Sequence, residues 1–316
     1  MTHRFLFIMD PLERILPDKD TTFVFMLESQ ARSHAVYYCG VEDLFVSTAV
    51  PYARCRRAEV SRGAPHYSLF EERTEPLRWF DAVLMRKDPP VDQRYLFATH
   101  ILSLLDSTKT VVLNHPRGLR DANEKLYALN FPSVIPPTLV TSEIPRLKGF
   151  LDELSGQMII KPLDGCGGSG VFHLNQRDRN LNAILETATD NGHRLVMAQQ
   201  YLPAVRNGDK RIIVLNGIAL GATLRVPRED EHRGNIHVGG TCVRTDITPR
   251  DAEIVATLAP RLRSDGLIFV GLDVIGDYLT EVNVTSPTGV QEVNSLNQVR
   301  LETEVIDWIE ARVAQA

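Results

Sequence analysis

The segment "VGLDVIGDYLTEVNVTSPTG", residues 270–289, is the most informative stretch of this 316-residue sequence. Two runs rich in valine and leucine, 270–274 and 279–284, flank Gly276 and Asp277. Apolar, β-branched runs around a Gly-containing turn are typical of two strands joined as a hairpin. The density of apolar residues in both runs predicts that this hairpin belongs to a buried sheet.

Three oxygen-bearing side chains lie within this predicted hairpin. Glu281 and Asn283 are two residues apart, so both lie on one face of their strand. A three-residue loop over 276–278 would place Asp273 directly opposite Glu281, whereas a two-residue loop would put it on the other face. Such hard oxygen ligands suit Mg²⁺ that bridges nucleotide phosphates. We favour a metal site, which predicts the longer loop, over a solvated polar stripe, because burying two carboxylates without a cation is costly.

A glycine-rich segment, "DGCGGSG" at residues 164–170, contains the pattern G-x-G-x-x-G. A dinucleotide-binding turn needs a strand before these glycines and a helix after them. The residues that follow, "VFHL" at 171–174, have no helical period and predict a second strand. A strand–loop–strand layout is similar to a flap that covers phosphates, and Lys161 just upstream could reach one. Taken alone, the glycine pattern is equally compatible with a phosphate-covering flap and with a turn that binds no ligand.

The order of elements predicts an α/β first part and an α+β second part. Up to about residue 121, apolar strands alternate with helices, which indicates a parallel sheet with polar residues gathered past the strand ends. These polar residues are Asp10, Arg86, Lys87, Asp88 and Asn114. A helix is expected roughly over 118–129, and a hairpin across Asn216-Gly217. The expected domains are 1–121, 122–203 and 204–316.

The composition of the chain argues against some classes of function. The net charge of −5 offers no basic field for nucleic acid or an anionic membrane, and no apolar run approaches membrane-spanning length. Four cysteines without metal-ligand spacing suggest reduced thiols in a cytoplasmic protein. We therefore expect neither nucleic acid nor a membrane as a partner.

Taken together, these motifs resemble the ATP-grasp fold, in which two α+β lobes hold ATP between them. The resemblance covers nearly the whole chain and is specific to the bacterial type of glutathione synthetase. It is carried by "LMRKDPP", "LRDANEKL", "KPLDGCGGSGVF", "MAQQYLPA", "RGNIHVGG" and "TEVNVTSPTG". It implies an ATP-grasp fold preceded by a Rossmann-like, parallel-sheet domain.

The resemblance implies a reaction and its substrates. γ-L-Glutamyl-L-cysteine, glycine and ATP would give glutathione, ADP and phosphate through an acyl phosphate. Mg²⁺, with Mn²⁺ able to replace it, would be held by Asp273, Glu281 and Asn283. Arg211 and Arg225 would stabilise the transferring phosphoryl group and the tetrahedral oxyanion. The family also implies a homotetramer.

Residues expected to bind ATP follow from the same resemblance. Two lysines would neutralise phosphate charge, the glycine loop would cover the phosphates, an interlobe segment would line the adenine slot, and an aspartate would accept from the ribose hydroxyls. In that order they are Lys125 and Lys161; Gly165, Gly167, Gly168, Ser169 and Gly170; Gln199, Gln200, Tyr201 and Leu202; and Asp209.

Residues expected to bind the dipeptide and glycine are Arg86 and, if a helix starts there, the turn with Ser286, Thr288 and Gly289. The charged segment 227–240 would be a lid that excludes water from the acyl phosphate, and Arg233 within it would contact the substrate. An ordinary loop would have the same kind of sequence. Cys166 inside the glycine loop would make ATP binding sensitive to thiol modification.

Three other functions stay open. Another ATP-grasp carboxylate–amine ligase, of the D-alanine–D-alanine or glutamate-adding type, would share the ATP motifs. A nucleotide-binding regulator without catalysis would not need the carboxylate set and both arginines. A dehydrogenase would require a helix starting at Gly170.

Overall fold

The computed structural model describes residues 2–165, 167–228 and 240–315. Its strands form three sheets of seven, four and five strands, in that order along the chain. None of the helices within the described ranges is long and apolar enough to cross a membrane.

The seven-stranded sheet is built from the first third of the chain. Its strands are β1 (Arg4–Ile8), β2 (Ala35–Cys39), β3 (Leu44–Ser47), β4 (Val50–Val60), β5 (Tyr67–Pro76), β6 (Ala82–Met85) and β7 (Val111–Leu113). Its helices are α1 (Thr21–Ala31), α2 (Gln93–Leu102) and α3 (Pro116–Asp121), with 3₁₀ turns at Leu12–Arg14, Val41–Asp43, Leu77–Trp79 and Leu126–Asn130. Asp20 caps α1 by accepting from the Phe23 amide.

The predicted parallel sheet is present in β2-β1-β6-β7, where all three pairings are parallel. Strands β3, β4 and β5 extend it by antiparallel pairing at the β2 edge, and the sequence analysis missed them. The helix expected over 118–129 is wrong. It ends at Asp121, because the Asn123 side chain accepts from the amides of Lys125 and Leu126 and turns the chain out of the helix.

The four-stranded sheet is antiparallel and has a core of its own. Its order is β10-β9-β11-β8, with β8 (Thr138–Thr141), β9 (Gln157–Pro162), β10 (Phe172–Asn175) and β11 (Val196–Gln200). Helices α4 (Ile144–Glu153) and α5 (Leu181–Thr189) cover it. Leu147, Met158, Leu185 and Ala198 belong to its apolar cluster, which is separate from those of the other two sheets. The strand after the glycine loop, β10, is present as predicted.

The five-stranded sheet is also antiparallel, in the order β14-β13-β12-β15-β16. Its strands are β12 (Asp209–Leu215), β13 (Ile218–Val226), β14 (Thr241–Arg244), β15 (Phe269–Ile275) and β16 (Tyr278–Asn283). A 3₁₀ turn at Pro203–Asn207 leads into it, and α6 (Pro249–Ser264), α7 (Val290–Asn297) and α8 (Leu301–Val313) pack around it. The predicted hairpin turn is confirmed at Asn216 and Gly217, both with positive φ.

The first and third sheets share their hydrophobic cores. One cluster joins Leu6 and Val83 of the seven-stranded sheet to Ile212 and Leu272 of the five-stranded sheet. The other brings the ring of Phe25 to 5.2 Å from that of Phe269 in an edge-on contact. The four-stranded sheet therefore stands as a separate lobe on a larger two-sheet body.

Candidate functional site

One face of the five-stranded sheet carries a row of charged side chains, and the strand register creates it. Asp209 pairs with Arg225 across β12 and β13, and Arg211 pairs with Asp273 across β12 and β15. Asp273 pairs in turn with Glu281 on β16, two residues before Asn283. Because directly paired residues, and residues two apart, share a face, all six side chains lie on the same side of the sheet. Their convergence was predicted for Asp273, Glu281 and Asn283, and the register confirms it.

The turn that produces this convergence differs from the prediction. The loop is the two-residue turn Gly276-Asp277, not a three-residue loop over 276–278. A β-bulge compensates, because Thr280 is an extra residue on β16 and the register shifts between Asp273 and Val274. The Thr280 hydroxyl donates to the Asp273 carbonyl at 3.1 Å. With the two-residue turn alone, Asp273 would pair with Thr280 and lie on the opposite face from Glu281. The bulge shifts the register by one residue, so that Asp273 pairs with Glu281 and shares its face.

Two arginines neutralise Asp273. Arg211 donates from Nε at 2.5 Å and from Nη2 at 3.1 Å, and Arg225 Nη2 lies 3.0 Å from the same carboxylate. Burial favours the neutral acid, but the two guanidinium groups outweigh it and hold the pKa of Asp273 well below its usual range. Asp273 is thus ionised at neutral pH.

The neighbouring pair of Asp209 and Arg225 leaves some of its polar atoms without hydrogen bonds. Arg225 Nη2 donates to Asp209 Oδ2, while Asp209 Oδ1 and Arg225 Nε are buried without a hydrogen-bond partner. Burial raises the pKa of Asp209 against the lowering effect of Arg225. Unpaired buried polar atoms are costly, so this pair has unused capacity to bind a polar ligand.

A cleft lies between this face and the four-stranded lobe. It encloses about 920 Å³ of space, part of it open to solvent, within the size range of small-molecule sites. Most of the residues predicted to bind ATP line it, together with two of the three predicted metal ligands. The lining includes Lys125, Lys161, Gly165, Gly167, Gly168, Ser169, Gln199, Gln200, Tyr201, Leu202, Asp209, Asp273 and Glu281. Gly170, Asn283, Arg211 and Arg225 lie outside that lining.

Sequence reasoning missed the apolar part of the cleft. Pro136, Ile159, Val171, Val205 and Ile275 contribute apolar surface to it. The period of strands could have found two of them, because Ile159 precedes Lys161 by two residues and Ile275 follows Asp273 by two.

Two buried lysines connect the lobes across this cleft. Lys125 Nζ lies 3.1 Å from Glu281 Oε1 and donates to the Gly165 carbonyl at 2.5 Å, so it joins the charged face to the glycine loop. Lys161 Nζ donates to the carbonyl of the bulged Thr280 at 3.2 Å. Burial lowers the pKa of Lys161, with Glu281 opposing the effect. Both cations are therefore placed where phosphate oxygens would neutralise them.

The residues predicted to bind substrate lie away from this cleft lining. Arg86 is buried against the rings of Phe25 and Phe269, and it donates to Thr22 Oγ1 and to the Pro287 carbonyl. The predicted helix after Gly289 is present as α7.

The turn at 286–289 is held by two arginines. Arg86 binds the Pro287 carbonyl from one side, and Arg211 Nη1 donates to the Thr288 carbonyl at 3.2 Å from the other. The turn with Ser286, Thr288 and Gly289 thus follows the charged face in the chain, and its Thr288 carbonyl contacts that face through Arg211. Two predictions fall outside the described residues. These are the predicted lid over 229–239, with Arg233, and the role of Cys166.

The predicted metal ligands fit a magnesium ion bound together with phosphate. Within the described ranges no group of three or more histidines, cysteines or acidic residues could hold a metal by itself. Asp273, Glu281 and Asn283 instead supply two carboxylates and an amide, and Mg²⁺ commonly takes one or two carboxylates plus phosphate oxygens and water. In this structure Asp273 is paired with Arg211 and Arg225, and Glu281 is paired with Lys125, so both carboxylates are held on one face.

Comparison with known families matches the chain almost completely. The model of the prokaryotic glutathione synthetase N-terminal domain matches residues 3–120. The model of the prokaryotic glutathione synthetase ATP-grasp domain matches residues 124–298. Together they cover the seven-stranded sheet, the cleft and both lobes around it.

Comparison with curated proteins gives full-length relatives. A glutathione synthetase of Gloeobacter violaceus is 48% identical over 312 residues, which are 97% of this chain and 96% of the relative. That of Pseudomonas aeruginosa is 41% identical over 316 residues, 99% of each chain.

Solved structures agree on the fold. A D-cycloserine synthetase gives a TM-score of 0.67 at 15% identity, covering 96% of this chain and 99% of its own. An ATP-grasp ligase in complex with a precursor peptide and AMPPNP gives 0.64 at 16% identity, covering 99% of each chain. At these identities the likeness concerns the fold alone.

Proposed function

The chain belongs to the prokaryotic glutathione synthetase family and is an ATP-dependent ligase that joins glycine to γ-glutamylcysteine; we propose how its cleft carries out this reaction. The observation that supports the proposal most is the charged row on the five-stranded sheet. It brings two arginines, three carboxylates and an amide to one face, opposite a glycine loop and two buried lysines. Phosphoryl transfer depends on such positioned charges more than on covalent chemistry by the protein.

ATP occupies the cleft in this proposal. Gln199, Gln200, Tyr201 and Leu202 line the adenine end, where Ile159 and Val205 supply apolar contacts. The unpaired Oδ1 of Asp209 is suited to accept from a ribose hydroxyl. The backbone of Gly165, Gly167, Gly168, Ser169 and Gly170 covers the phosphates, and Lys125 and Lys161 neutralise them.

Asp273, Glu281 and Asn283 would hold Mg²⁺, or Mn²⁺ in its place. When bound, the metal offsets negative charge on the phosphate oxygens during transfer. The chain prepares for it by keeping Asp273 ionised between Arg211 and Arg225 and by holding Glu281 3.1 Å from Lys125. These cations then become available to the substrates' phosphate and carboxylate groups.

The reaction proceeds through an acyl phosphate in this proposal. An oxygen of the cysteinyl carboxylate attacks the γ-phosphorus, the bond to the β-phosphate oxygen breaks, and ADP leaves. The amine of glycine then attacks the acyl carbon, a proton is lost from nitrogen, and phosphate leaves with the electron pair. Arg211 and Arg225 stabilise the charge that grows on the transferring group and on the tetrahedral oxygen.

Substrate carboxylates bind beside the turn with Ser286, Thr288 and Gly289. Arg211 contacts this turn at the Thr288 carbonyl, which supports its place next to the reacting groups. We assign Arg86 to the same region through its hydrogen bond to the Pro287 carbonyl. Arg233 and the segment around it would close over the acyl phosphate.

Cellular setting and assembly complete the proposal. Cys39, Cys55 and Cys242 are free thiols, which supports a reducing, cytoplasmic setting. We propose a homotetramer by family resemblance, which sedimentation of the purified chain would test.

Isotope transfer tests the acyl-phosphate step. γ-Glutamylcysteine labelled with ¹⁸O in its cysteinyl carboxylate is incubated with Mg-ATP and glycine. One ¹⁸O atom is expected in the released phosphate, because the attacking oxygen leaves with phosphorus. Glutathione formed with unlabelled phosphate would refute this mechanism.

A further inference from the structure

Glu124 is a buried acid outside the predicted set, and it makes an unusual number of contacts to one strand. Its main-chain carbonyl accepts from the Val282 amide at 2.9 Å. Its Oε1 accepts from the amides of Val284 at 2.9 Å and Thr285 at 3.1 Å, and from the Thr285 hydroxyl at 2.9 Å. Four donors from one short segment therefore converge on a single residue.

These contacts supply hydrogen-bond acceptors that a neighbouring strand would otherwise provide. Among the described strands, β16 is at the edge of the five-stranded sheet, since the order ends β15-β16. Alternate amides of an edge strand point outward and need partners. Glu124 supplies one from its main chain for Val282 and one from its side chain for Val284. Asn283 lies between the two held amides, so its direction is set from both sides.

The next residue extends the connection to the other lobe. Lys125 contacts Glu281 Oε1 at 3.1 Å and the Gly165 carbonyl at 2.5 Å. Residues 124 and 125 thus touch the strand that carries Glu281 and Asn283 as well as the glycine loop. A shift of Glu124 would move these two elements relative to each other.

We propose that Glu124 is a positioning residue that holds Glu281 and Asn283 in the arrangement needed to bind the metal–nucleotide complex. This inference rests on the metal ligands assigned under the proposed function. A carboxylate suits the task better than an amide, because three donors meet one oxygen and both carboxylate oxygens can accept, whereas the amide nitrogen of glutamine only donates. Partners that orient metal ligands in this way typically alter metal affinity by 10- to 100-fold.

The test compares Glu124→Gln, Glu124→Asp and Thr285→Val with the wild type and with Glu304→Gln, which changes an exposed glutamate of α8. Mn²⁺ binding to the complex with ADP is followed by the electron paramagnetic resonance signal of free Mn²⁺. Binding of ADP without metal is measured by calorimetry. We expect Glu124→Gln to weaken Mn²⁺ binding at least tenfold, with metal-free ADP affinity within twofold of wild type. Thr285→Val should change Mn²⁺ binding in the same direction but less, and Glu304→Gln not at all.

Kinetics give a second readout. Glu124→Gln should raise the Mg²⁺ concentration needed for half-maximal rate, with kcat at saturating Mg²⁺ recovering to within a few-fold of wild type. For Glu124→Asp, which keeps a carboxyl group on a shorter side chain, this Mg²⁺ concentration should lie between the values for the wild type and Glu124→Gln. Wild-type Mn²⁺ affinity in Glu124→Gln, or equal losses of metal and metal-free ADP binding, would overturn the inference. If Glu124→Gln does not fold, Thr285→Val and Glu124→Asp decide by the same criteria.

The control for the proposed function is the wild type itself. Absence of Mn²⁺ binding to wild type with ADP would refute the assigned metal site and this inference with it. Mn²⁺ binding by wild type that is unchanged in Glu124→Gln would refute only the role of Glu124.

Discussion

At the scale of single residues, the charged row depends on mutual neutralisation. Asp273 would be costly to bury alone, and Arg211 would be costly to bury without it. Paired, they form a fixed set of charges that needs little rearrangement when a phosphoryl group arrives. The sequence predicted that Asp273, Glu281 and Asn283 share a face, since their spacing on strands reveals it, while Asp209, Arg211 and Arg225 were identified through the family resemblance. It could not predict the pairing of Asp209 with Arg225, because the register between β12 and β13 sets it.

Replacement of Arg211 tests its catalytic assignment. Arg211→Met should lower kcat by roughly 100- to 1,000-fold, the usual loss when one donor to a developing oxyanion is removed. The rate of glutathione formation at saturating substrates measures this, with circular dichroism to verify folding. Arg146→Met, which removes an exposed arginine paired with Glu143, is the control and should leave kcat unchanged. A kcat for Arg211→Met within tenfold of wild type would contradict the assignment.

Tyr95 offers a stability prediction. Its hydroxyl is buried without a hydrogen-bond partner, and its ring is 1% exposed. Burying an unpaired hydroxyl costs about 1–3 kcal/mol, so Tyr95→Phe should raise the free energy of unfolding by up to about 1 kcal/mol after the small cavity is counted. Urea unfolding measures it. A loss of stability would indicate that the hydroxyl is satisfied in solution, for instance by water.

At the scale of elements, turns decide where side chains point. The hairpin of β15 and β16 closes with two residues and regains its register through the bulge at Thr280. Sequence reasoning correctly found both strands but not the bulge, because Thr280 resembles any other strand residue. The helix expected over 118–129 failed for a similar reason. Asn123 was counted as helical, although its side chain caps the amides of Lys125 and Leu126.

Two glycine turns should respond differently to alanine. At Gly217, φ is +75° and an added Cβ would lie 2.7 Å from the Ala259 Cβ on α6. Positive φ and overpacking together predict a loss of about 2–4 kcal/mol for Gly217→Ala. At Gly276, φ is +57° and the nearest atom is the Ala204 Cβ at 3.2 Å, so Gly276→Ala should cost about 1–2 kcal/mol. Denaturant unfolding of both variants tests the order, and an equal or reversed loss would contradict it.

Contact between α1 and α8 should depend on pH through His34. Its Nδ1 accepts from the His3 amide, and its Nε2 lies 2.7 Å from Glu310 Oε1, so the neutral ring donates to Glu310. Burial lowers the pKa of His34, although Glu310 opposes this and Arg32 and His3 reinforce it. Because the unfolded chain then binds the proton more readily, stability should fall as pH drops below about 6.5.

Unfolding experiments between pH 7.5 and pH 5.5 measure this dependence. His34→Gln should flatten it, since the group that takes up the proton is removed. A wild type whose stability is constant or rises on acidification through this window would contradict the assignment. His193→Gln, which changes an exposed histidine, is the control and should retain the wild-type slope.

At the scale of the whole molecule, one lobe has a hydrophobic core separate from that of the rest. The four-stranded sheet has a separate core, whereas the other two sheets share theirs. The cleft lies at this junction, and Lys125 and Lys161 are among the side chains that cross it. We propose that the lobe formed by β8 to β11 closes over ATP. Residues 122–134, which the sequence analysis grouped with it, instead belong to the body, where Tyr127 and Phe131 join the shared core. The sequence indicated an α/β first part and an α+β second part because strand patterning changes along the chain, and the division of the second part into two lobes came from the family resemblance. It missed β3 to β5, since their exposed, charged faces resemble loops.

The central claim is that this cleft joins γ-glutamylcysteine to glycine at the expense of ATP. Phosphate release from Mg-ATP with purified protein tests it most directly, with each substrate alone, both together, and D-alanine in place of both. We predict sustained release only when γ-glutamylcysteine and glycine are both present, with glutathione formed in equal amount. Release that needs no glycine, or that occurs with D-alanine but not with this pair, would contradict the account.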